Sequence, residues 1–278
     1  MKRILELIGF LFSDLPKVYK LRIVLGYYIT SRFSLIQILG MNLNYLKGSR
    51  NHQLLILKDI FLNQIYTFTD ATDKKLKILN QDAIIIDIGA NIGIATAYFK
   101  NKYPSVKLLA IEASPITYKY LVKNIQNNNF QNTEAINCFI SNENSQIKFY
   151  HHISHPGGSF GENYRMKDSS KLDEFDVKTL QIKDVIAGFQ NLVIKIDVEG
   201  AEYDILNDLA TSQDISEVIE ITVEVSTFNL SDYKKLNRVL IDFYQLGFEA
   251  RFISDYTSSA LRAKLFQGHL QLVLFRNP

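Results

Sequence analysis

The chain lacks several features that define common classes of protein. Its one cysteine, Cys138, excludes an intrachain disulfide, and its place in the apolar run AINCFIS predicts a buried small side chain. The chain has no tryptophan, and 31 basic residues balance 29 acidic ones, so no charge excess indicates a nucleic-acid partner. No run reaches the ~18 apolar residues of a membrane span. Because Glu6 interrupts the N-terminal apolar run, a secretory signal is disfavoured, and we predict a cytoplasmic protein.

From residue 83 onward, strand-like and helix-like segments alternate. The composition, 47% hydrophobic and 22% charged over 278 residues, suffices for a sizeable core. Such alternation is typical of an α/β fold with a largely parallel sheet and helices on both faces. A polar stretch at 153–176 predicts a loop. We assign residues 71–278 to this domain and 1–70 to an N-terminal region. The strand-like segments are residues 83–89, 106–113, 133–141, 145–152, 191–197, 217–225, 248–254 and 269–276.

The N-terminal region has a different pattern. Residues 1–46 show helix-like apolar spacing broken by Pro16. This spacing predicts either two short helices packed on the main body or an amphipathic surface that contacts a membrane, a partner or a second copy of the chain. A turn-like stretch at 47–53 is followed by two strand-like runs, at 54–57 and 60–68, which predict a β-hairpin.

The turn after the first strand of the main domain carries the first chemical motif. Glycines at 89 and 93 let the backbone turn tightly and approach a ligand. A dinucleotide fingerprint starting at Gly89 would need glycines where the chain has Asn91 and Ile94, so that pattern fails. Asp87 suits a cationic amino-acid group better than a diphosphate. The alternative is an ordinary strand–helix turn with a surface carboxylate.

A second carboxylate, Glu112, ends the next strand. It can accept two hydrogen bonds from the vicinal hydroxyls of a ribose. A glycine-poor loop with Asp87, followed one strand later by Glu112, predicts an S-adenosylmethionine site. The residues expected to bind this cofactor are Asp87, Gly89, Ala90, Asn91, Gly93, Glu112, Ala113 and Ser141.

The second motif is KIDVEGAE, residues 195–202. Side chains alternate along a strand, so Lys195 and Asp197 share a face, and Asp197 falls at the carboxyl end next to the glycine loop. Gly200 lets the chain turn, and Glu202 follows in the first turn of a helix, where the helix dipole favours a carboxylate. The alternative to a catalytic cluster is a structural ion network in which Lys195 balances the carboxylates.

Four segments together resemble the FkbM family of methyltransferases: IIIDIGANIG (84–93), AIEASP (110–115), PGGSF (156–160) and KIDVEGAE. The resemblance covers roughly residues 83–225. It implies a class I methyltransferase fold, a Rossmann-like three-layer sandwich whose seven-stranded sheet is parallel except for one C-terminal strand. It also implies S-adenosylmethionine as the cofactor and a hydroxyl acceptor, often on a sugar, glycolipid, polyketide or similar metabolite.

Methyl transfer to a hydroxyl needs a base, because an alcohol is a poor nucleophile. Asp197 is the first candidate for that base. Lys195 could hold Asp197 ionised or orient the acceptor oxygen, and its catalytic or structural role stays open. Glu199 and Glu224 could hydrogen-bond acceptor hydroxyls, and Glu202 either contacts the substrate or supports the helix terminus.

A histidine cluster, His151, His152 and His155, precedes PGGSF. These histidines lie between strand-like residues and Pro156 rather than on a helix, so we predict no metal site. One histidine could instead replace Asp197 as the base. We expect His155 and Ser159 to contact the substrate.

Three functions are compatible with these residues. The leading one is an S-adenosylmethionine-dependent O-methyltransferase that modifies a hydroxyl of a sugar, glycan or other small metabolite. An oxidoreductase with a nucleotide cofactor is the enzymatic alternative, which the missing pyrophosphate glycines disfavour. A binding subunit that has the methyltransferase fold but no activity is the third possibility, with residues 1–46 as its contact surface.

Overall fold

The computed structural model describes residues 35–46, 49–152, 160–161, 172–198, 200–227, 229–253 and 268–276. The helices predicted before residue 35 lie outside this range. The described helices are α1 (Arg50–Phe61), α2 (Asp70–Leu79), α3 (Ile94–Lys102), α4 (Pro115–Asn127), α5 (Ile182–Ile186), α6 (Glu202–Ala210) and α7 (Leu230–Gln245). None of them is long and apolar enough to cross a membrane.

The described strands form three sheets. They are β1 (Leu35–Ile38), β2 (Met41–Asn44), β3 (Ile84–Ile88), β4 (Lys107–Glu112), β5 (Thr133–Asn137), β6 (Phe139–Ser141), β7 (Gln146–His152), β8 (Phe160–Gly161), β9 (Leu172–Gln181), β10 (Leu192–Ile196), β11 (Val218–Thr227), β12 (Glu249–Ile253) and β13 (Gly268–Phe275).

The central sheet has seven strands in the order β12-β13-β11-β10-β3-β4-β5. Strands β10, β11, β3, β4 and β5 pair in parallel, whereas β13 is antiparallel to both of its neighbours. The predicted α/β architecture, with a seven-stranded sheet that is parallel except for one C-terminal strand, is confirmed. Strands β3, β4 and β10 therefore end side by side at the carboxyl edge, where such sheets bind ligands.

Strands β3 and β10 are fully buried, as their continuous apolar runs predict. Each contains one charged residue, and the register places these two opposite each other: Asp87 on β3 pairs with Lys195 on β10. Two charges in the centre of a sheet are stable only if they compensate each other. The pairing of the two strands therefore positions an ion pair directly beneath the carboxyl edge.

Residues 133–141 do not form one strand, contrary to the prediction. The chain breaks at Cys138, so that β5 ends the central sheet and β6 joins a separate four-stranded sheet in the order β6-β9-β7-β8. The predicted loop at 153–176 is also wrong in part, because β8 and the first half of β9 lie within it. These polar residues form a strand because they pair with β7.

The hairpin predicted from residues 54–68 is wrong, since residues 50–61 form helix α1. Its buried side chains Gln53, Leu57, Ile60 and Phe61 follow helical spacing, which a short apolar run does not distinguish from a strand. A hairpin does occur earlier, where β1 and β2 pair around two residues with positive φ, Leu39 and Gly40. Positive φ at both central residues is the geometry of a type I′ turn.

One buried side chain on α4, Asn124, connects this hairpin to the glycine loop. Its Oδ1 accepts hydrogen bonds from the Asn44 backbone N–H at 2.6 Å and from Asn44 Nδ2 at 3.0 Å. Its Nδ2 donates to the backbone oxygens of Asn44, at 2.9 Å, and Ile92, at 2.8 Å. The hairpin is therefore held against the loop between β3 and α3 by one amide.

Replacing Asn124 with alanine should lower the free energy of unfolding by about 1–3 kcal/mol, because the buried backbone groups of Asn44 and Ile92 lose their partners. Urea unfolding measures this change. The control is Gln126→Ala on the exposed face of the same helix, which should leave the free energy within about 0.5 kcal/mol of the parent. Equal stability of the two variants would contradict the structural role of Asn124.

Candidate active site

A cavity of about 300 Å³ opens at the carboxyl edge of the central sheet. Strands β3, β4 and β10 and the residues that follow them form one wall, and α1 with the segment after it contributes the other side. Eight of the residues predicted for the site line it: Gly89, Ala90, Asn91, Glu112, Ala113, Lys195, Asp197 and Glu224.

The glycine loop packs directly on the end of β10. Gly89 has a φ of +77°, and a Cβ added there would lie 1.9 Å from the carbonyl oxygen of Asp197. The Asp197 N–H donates to the Ile88 carbonyl at 3.0 Å, and the N–H groups of Gly89 and Ala90 both donate to Ile111 at 2.9 Å. Only glycine permits this conformation together with this contact, so Gly89 fixes the distance between loop and strand.

Lys195 is buried beneath the glycine loop. Its Nζ is 3.0 Å from Asp87 Oδ1 and donates to the carbonyl oxygens of Gly89, at 2.9 Å, and Ile88, at 3.2 Å. The ammonium thus donates to two carbonyl oxygens of the loop and forms an ion pair with Asp87. Burial disfavours the charged form, but the charges of Asp87 and Asp197 more than compensate, so the pKa of Lys195 is raised.

Asp87 is the partner of this lysine rather than part of the described cavity wall. Its side chain is fully buried, and its Oδ2 accepts a hydrogen bond from Thr96 Oγ1 at 2.8 Å. With Oδ1 beside Lys195, both oxygens are engaged within the protein. The direct contact of Asp87 with the cofactor stays a prediction.

Asp197 is the carboxylate that faces the cavity, with 39% of its side chain exposed. Its Oδ2 accepts a hydrogen bond from the Tyr66 hydroxyl at 2.6 Å and lies 3.8 Å from Lys195 Nζ. Among the described residues, none bonds to Oδ1. One oxygen of Asp197 is thus held in place while the other is open to a ligand.

Glu112 closes the other end of this wall. Its Oε2 accepts a hydrogen bond from the Asn91 N–H at 2.7 Å, and its Oε1 accepts from the Ser114 N–H at 2.9 Å and from Thr117 Oγ1 at 2.8 Å. Burial raises the pKa of Glu112 despite these bonds. The carboxyl group is therefore rigidly oriented, and Oε2, which accepts one hydrogen bond among the described residues, has capacity for a ligand hydroxyl.

The remaining predicted residues are not among those that form the described wall of the cavity. Gly93, Ser141 and Glu202 are outside the described wall of the cavity, and Glu202 Oε1 accepts a hydrogen bond from the Gly200 N–H at 2.9 Å. Ligand contacts of these three stay predictions. His151 is buried, with its Nδ1 2.9 Å from Ser114 Oγ. The residues Glu199, His155 and Ser159 lie outside the described part of the chain.

Tyr66 and Gln53 are among the cavity residues that were not predicted from the sequence. Both precede the α/β domain, and neither belongs to a recognisable motif. Tyr66 is buried, donates to Asp197 and places its ring 5.3 Å from Lys195 Nζ. Tyr66 lies in the run 60–68, which the sequence pattern predicts to be a strand. Alternate aromatic residues are expected in a strand for packing alone, so no local feature of the sequence indicates the contact with Asp197.

Two expectations about chemistry can also be compared with the structure. Cys138 is buried, as predicted, and burial raises the pKa of its thiol to about 12, so it is not a nucleophile at neutral pH. Within the described ranges, no group of three or more histidine, cysteine or acidic side chains is arranged to hold a metal ion.

The strand order, the glycine loop after the central strand and the carboxylate at the end of the next strand define a class I methyltransferase. A family profile described as "Methyltransferase FkbM domain" matches residues 87–252, which is more than half of the chain. The chain belongs to the FkbM methyltransferase family. This assignment favours methyl transfer over the oxidoreductase alternative.

Two curated relatives carry the name methyltransferase. "Methyltransferase 1" of Beauveria bassiana (strain ARSEF 2860) is 28% identical over 172 residues, which are 55% of this chain and 66% of the relative. "Methyltransferase sdnD" of Sordaria araneosa is 28% identical over 193 residues, 59% of this chain and 71% of the relative. The chain thus spans slightly less than two thirds of the first relative's length.

Solved structures of methyltransferases are similar at low identity. A precorrin-6y C5,15-methyltransferase from Geobacter metallireducens GS-15 is 12% identical, with a TM-score of 0.40 over 74% of this chain and 86% of that one. TYW2 of M. jannaschii, solved in complex with AdoMet, is 12% identical, with a TM-score of 0.39 over 89% of each chain.

S-adenosylmethionine is the cofactor of this chain. The residues of the cavity fit an adenosine-containing ligand. Glu112 would offer a carboxylate oxygen to the ribose hydroxyls, and Ala113, Phe139 and Ile140 line the same cavity and would provide an apolar surface for the adenine. The glycine loop brings backbone groups to the same cavity.

Replacing Lys195 with methionine should lower the free energy of unfolding by about 3–5 kcal/mol, because Asp87 would remain as an uncompensated buried charge. Removing that charge as well, in the double variant Asp87→Asn/Lys195→Met, should restore most of the loss. Urea unfolding of both variants tests this. A fully stable Lys195→Met protein would contradict the interpretation of the pair as structural.

Replacing Glu112 with glutamine should weaken S-adenosylhomocysteine binding about tenfold or more, because a hydrogen bond to a charged acceptor is lost. Isothermal titration calorimetry measures the affinity. Glu134→Gln, which changes an exposed carboxylate on β5, is the matched control and should bind like the parent. If both variants bind equally well, Glu112 does not hold the ribose.

Proposed function

We propose that the protein is an S-adenosylmethionine-dependent O-methyltransferase that modifies a hydroxyl of a sugar, glycan or other small metabolite. The observation that carries this proposal is the geometry of Asp197. Its carboxylate stands at the carboxyl end of β10, faces the cavity and has one oxygen held by Tyr66. A base placed beside the cofactor cavity is what a hydroxyl acceptor requires and what an already basic amine needs less.

Each residue of the site has a separate role in the proposed reaction. S-adenosylmethionine, when bound, supplies a methyl group on a positively charged sulfur. Asp197 orients the acceptor hydroxyl through Oδ1 and takes its proton as the oxygen attacks. Tyr66 keeps the carboxylate in one rotamer through its bond to Oδ2. Glu224, which also lines the cavity, hydrogen-bonds a further hydroxyl of the acceptor, and we extend this role to Glu199.

Lys195 supports this arrangement without contacting the acceptor. Its ammonium is already engaged by Asp87 and by two carbonyl oxygens of the glycine loop, which disfavours contact with a substrate oxygen. Its ammonium also lies 3.8 Å from Asp197 Oδ2 and forms an ion pair with that carboxylate. The proposal therefore gives Lys195 a structural and electrostatic role rather than contact with the acceptor oxygen.

The cellular setting is part of the same proposal. We propose a cytoplasmic enzyme, and the balanced charge of the chain supports the absence of a nucleic-acid partner. Residues 1–46 are proposed to contact the acceptor, a membrane surface or a second copy of the chain. Their basic residues and their helix-like apolar spacing support an interfacial role.

Replacing Asp197 with asparagine should lower kcat about 10²–10⁴-fold, the usual contribution of a general base, and leave S-adenosylhomocysteine affinity largely unchanged. Transfer of a labelled methyl group to a panel of sugars, glycolipids and polyketide alcohols measures kcat. NMR of the product identifies the methylated atom.

The control for this experiment is Asp173→Asn, which changes an exposed carboxylate on β9 and should retain full turnover. Normal turnover of the Asp197→Asn variant would remove Asp197 from the role of base. Products methylated only on nitrogen or carbon would contradict O-methyl transfer itself.

A further inference from the structure

Gln53 on α1 presents an unpartnered amide in the site. Its side chain is fully buried and lines the cavity. Neither Oε1 nor Nε2 has a hydrogen-bond partner within the described structure. The backbone N–H of Gln53 is engaged by the Ser49 carbonyl at 3.0 Å, so the unmet capacity belongs to the side chain alone.

A buried amide without partners is unfavourable, because it has lost its hydrogen bonds to water. Leucine has a similar size and would fill the same position without this cost. Water in the cavity can supply these bonds in the free protein, but a ligand that fills the cavity and displaces the water must replace them. Gln53 therefore indicates a ligand group that both donates and accepts hydrogen bonds.

The position of α1 locates this group within the cavity. The residues just before the helix are tied to the glycine loop, since Asn124 bridges Asn44 and the carbonyl of Ile92. The first turn of α3, with Ile94 and Ala95, lines the same cavity. Helix α1 packs against α3, so Gln53 lines the same cavity as the N-terminus of α3, which attracts a carboxylate.

The amino-acid group of S-adenosylmethionine carries an ammonium, which donates, and a carboxylate, which accepts. Asp87 lies outside the described cavity wall, with its Oδ1 3.0 Å from Lys195 Nζ. Of the carboxylates that line the cavity, Glu112 is assigned to the ribose, and Asp197 and Glu224 are assigned to the acceptor. Asp59 on α1 accepts a bond from Asn63 at 2.8 Å through its Oδ1. The amide of Gln53 offers the one acceptor and the donors that this group needs.

We propose that Gln53 binds the amino-acid end of S-adenosylmethionine. Oε1 accepts from the ammonium, and Nε2 donates to the carboxylate beside the first turn of α3. A residue outside the family profile would then complete the cofactor site, and α1 would be part of it rather than an appendage. The inference rests on the cofactor of the family and does not depend on the acceptor.

The test compares two ligands that share the adenosine and the sulfur. S-adenosylhomocysteine has the amino-acid group, and 5′-methylthioadenosine lacks it. In the Gln53→Leu variant, calorimetry should show a Kd for S-adenosylhomocysteine raised about tenfold or more, because hydrogen bonds to charged groups are lost. The Kd for methylthioadenosine should stay at the parent value. Gln126→Leu, on the exposed face of α4, is the matched control and should bind both ligands like the parent.

A second measurement separates binding from a structural role. Without ligand, Gln53→Leu should melt at the same temperature as the parent or higher, since the unpartnered amide is gone. Gln53→Met, which keeps the unbranched shape, should behave likewise. Unchanged affinity for S-adenosylhomocysteine would overturn the proposal. Equal loss of both ligands would also overturn it, because the residue would then shape the whole cavity. Neither result bears on Asp197 as the base.

Discussion

The buried ion pair between Lys195 and Asp87 is the constraint on which the site depends. Two charges in neighbouring central strands would oppose folding if either stood alone, so the register that joins them is strongly favoured. Lys195 also donates to the carbonyl oxygens of the loop after β3. The pair thus holds together the ends of β3 and β10, and it brings Gly89 into contact with Asp197.

From this junction, Asp197 is directed toward the cavity and Tyr66 reaches it from the opposite side. The N-terminal segment is therefore joined to the α/β domain at the point where chemistry takes place. The Asn124 contacts fasten the hairpin to the same loop. A second group of polar contacts, around Glu220 and Thr69, ties the start of α2 to β11. The position and reactivity of the Asp197 carboxylate therefore depend on the contacts between these elements.

Much of the α/β domain could be predicted from sequence, because buried parallel strands such as β3 and β10 read as continuous apolar runs. The motifs likewise indicated that Glu112 and Asp197 lie at the carboxyl ends of two strands, β4 and β10, which flank β3 in the sheet. The roles of Asp87 and Lys195 could not be predicted from the sequence, because the pairing register of β3 and β10 decides whether a charged side chain faces a ligand or another charge. Tyr66 was missed because its contact joins residues 131 positions apart.

A crystal structure with bound S-adenosylhomocysteine would test the roles of Asp197 and Lys195. We expect the Asp197 carboxylate to face the sulfur with room for one hydroxyl between them, while Tyr66 still holds Oδ2. We also expect Lys195 to stay paired with Asp87 and not to turn toward the ligand. A sulfur directed away from Asp197 would remove that carboxylate from the role of base, and a Lys195 released from Asp87 to contact the ligand would disprove its structural role.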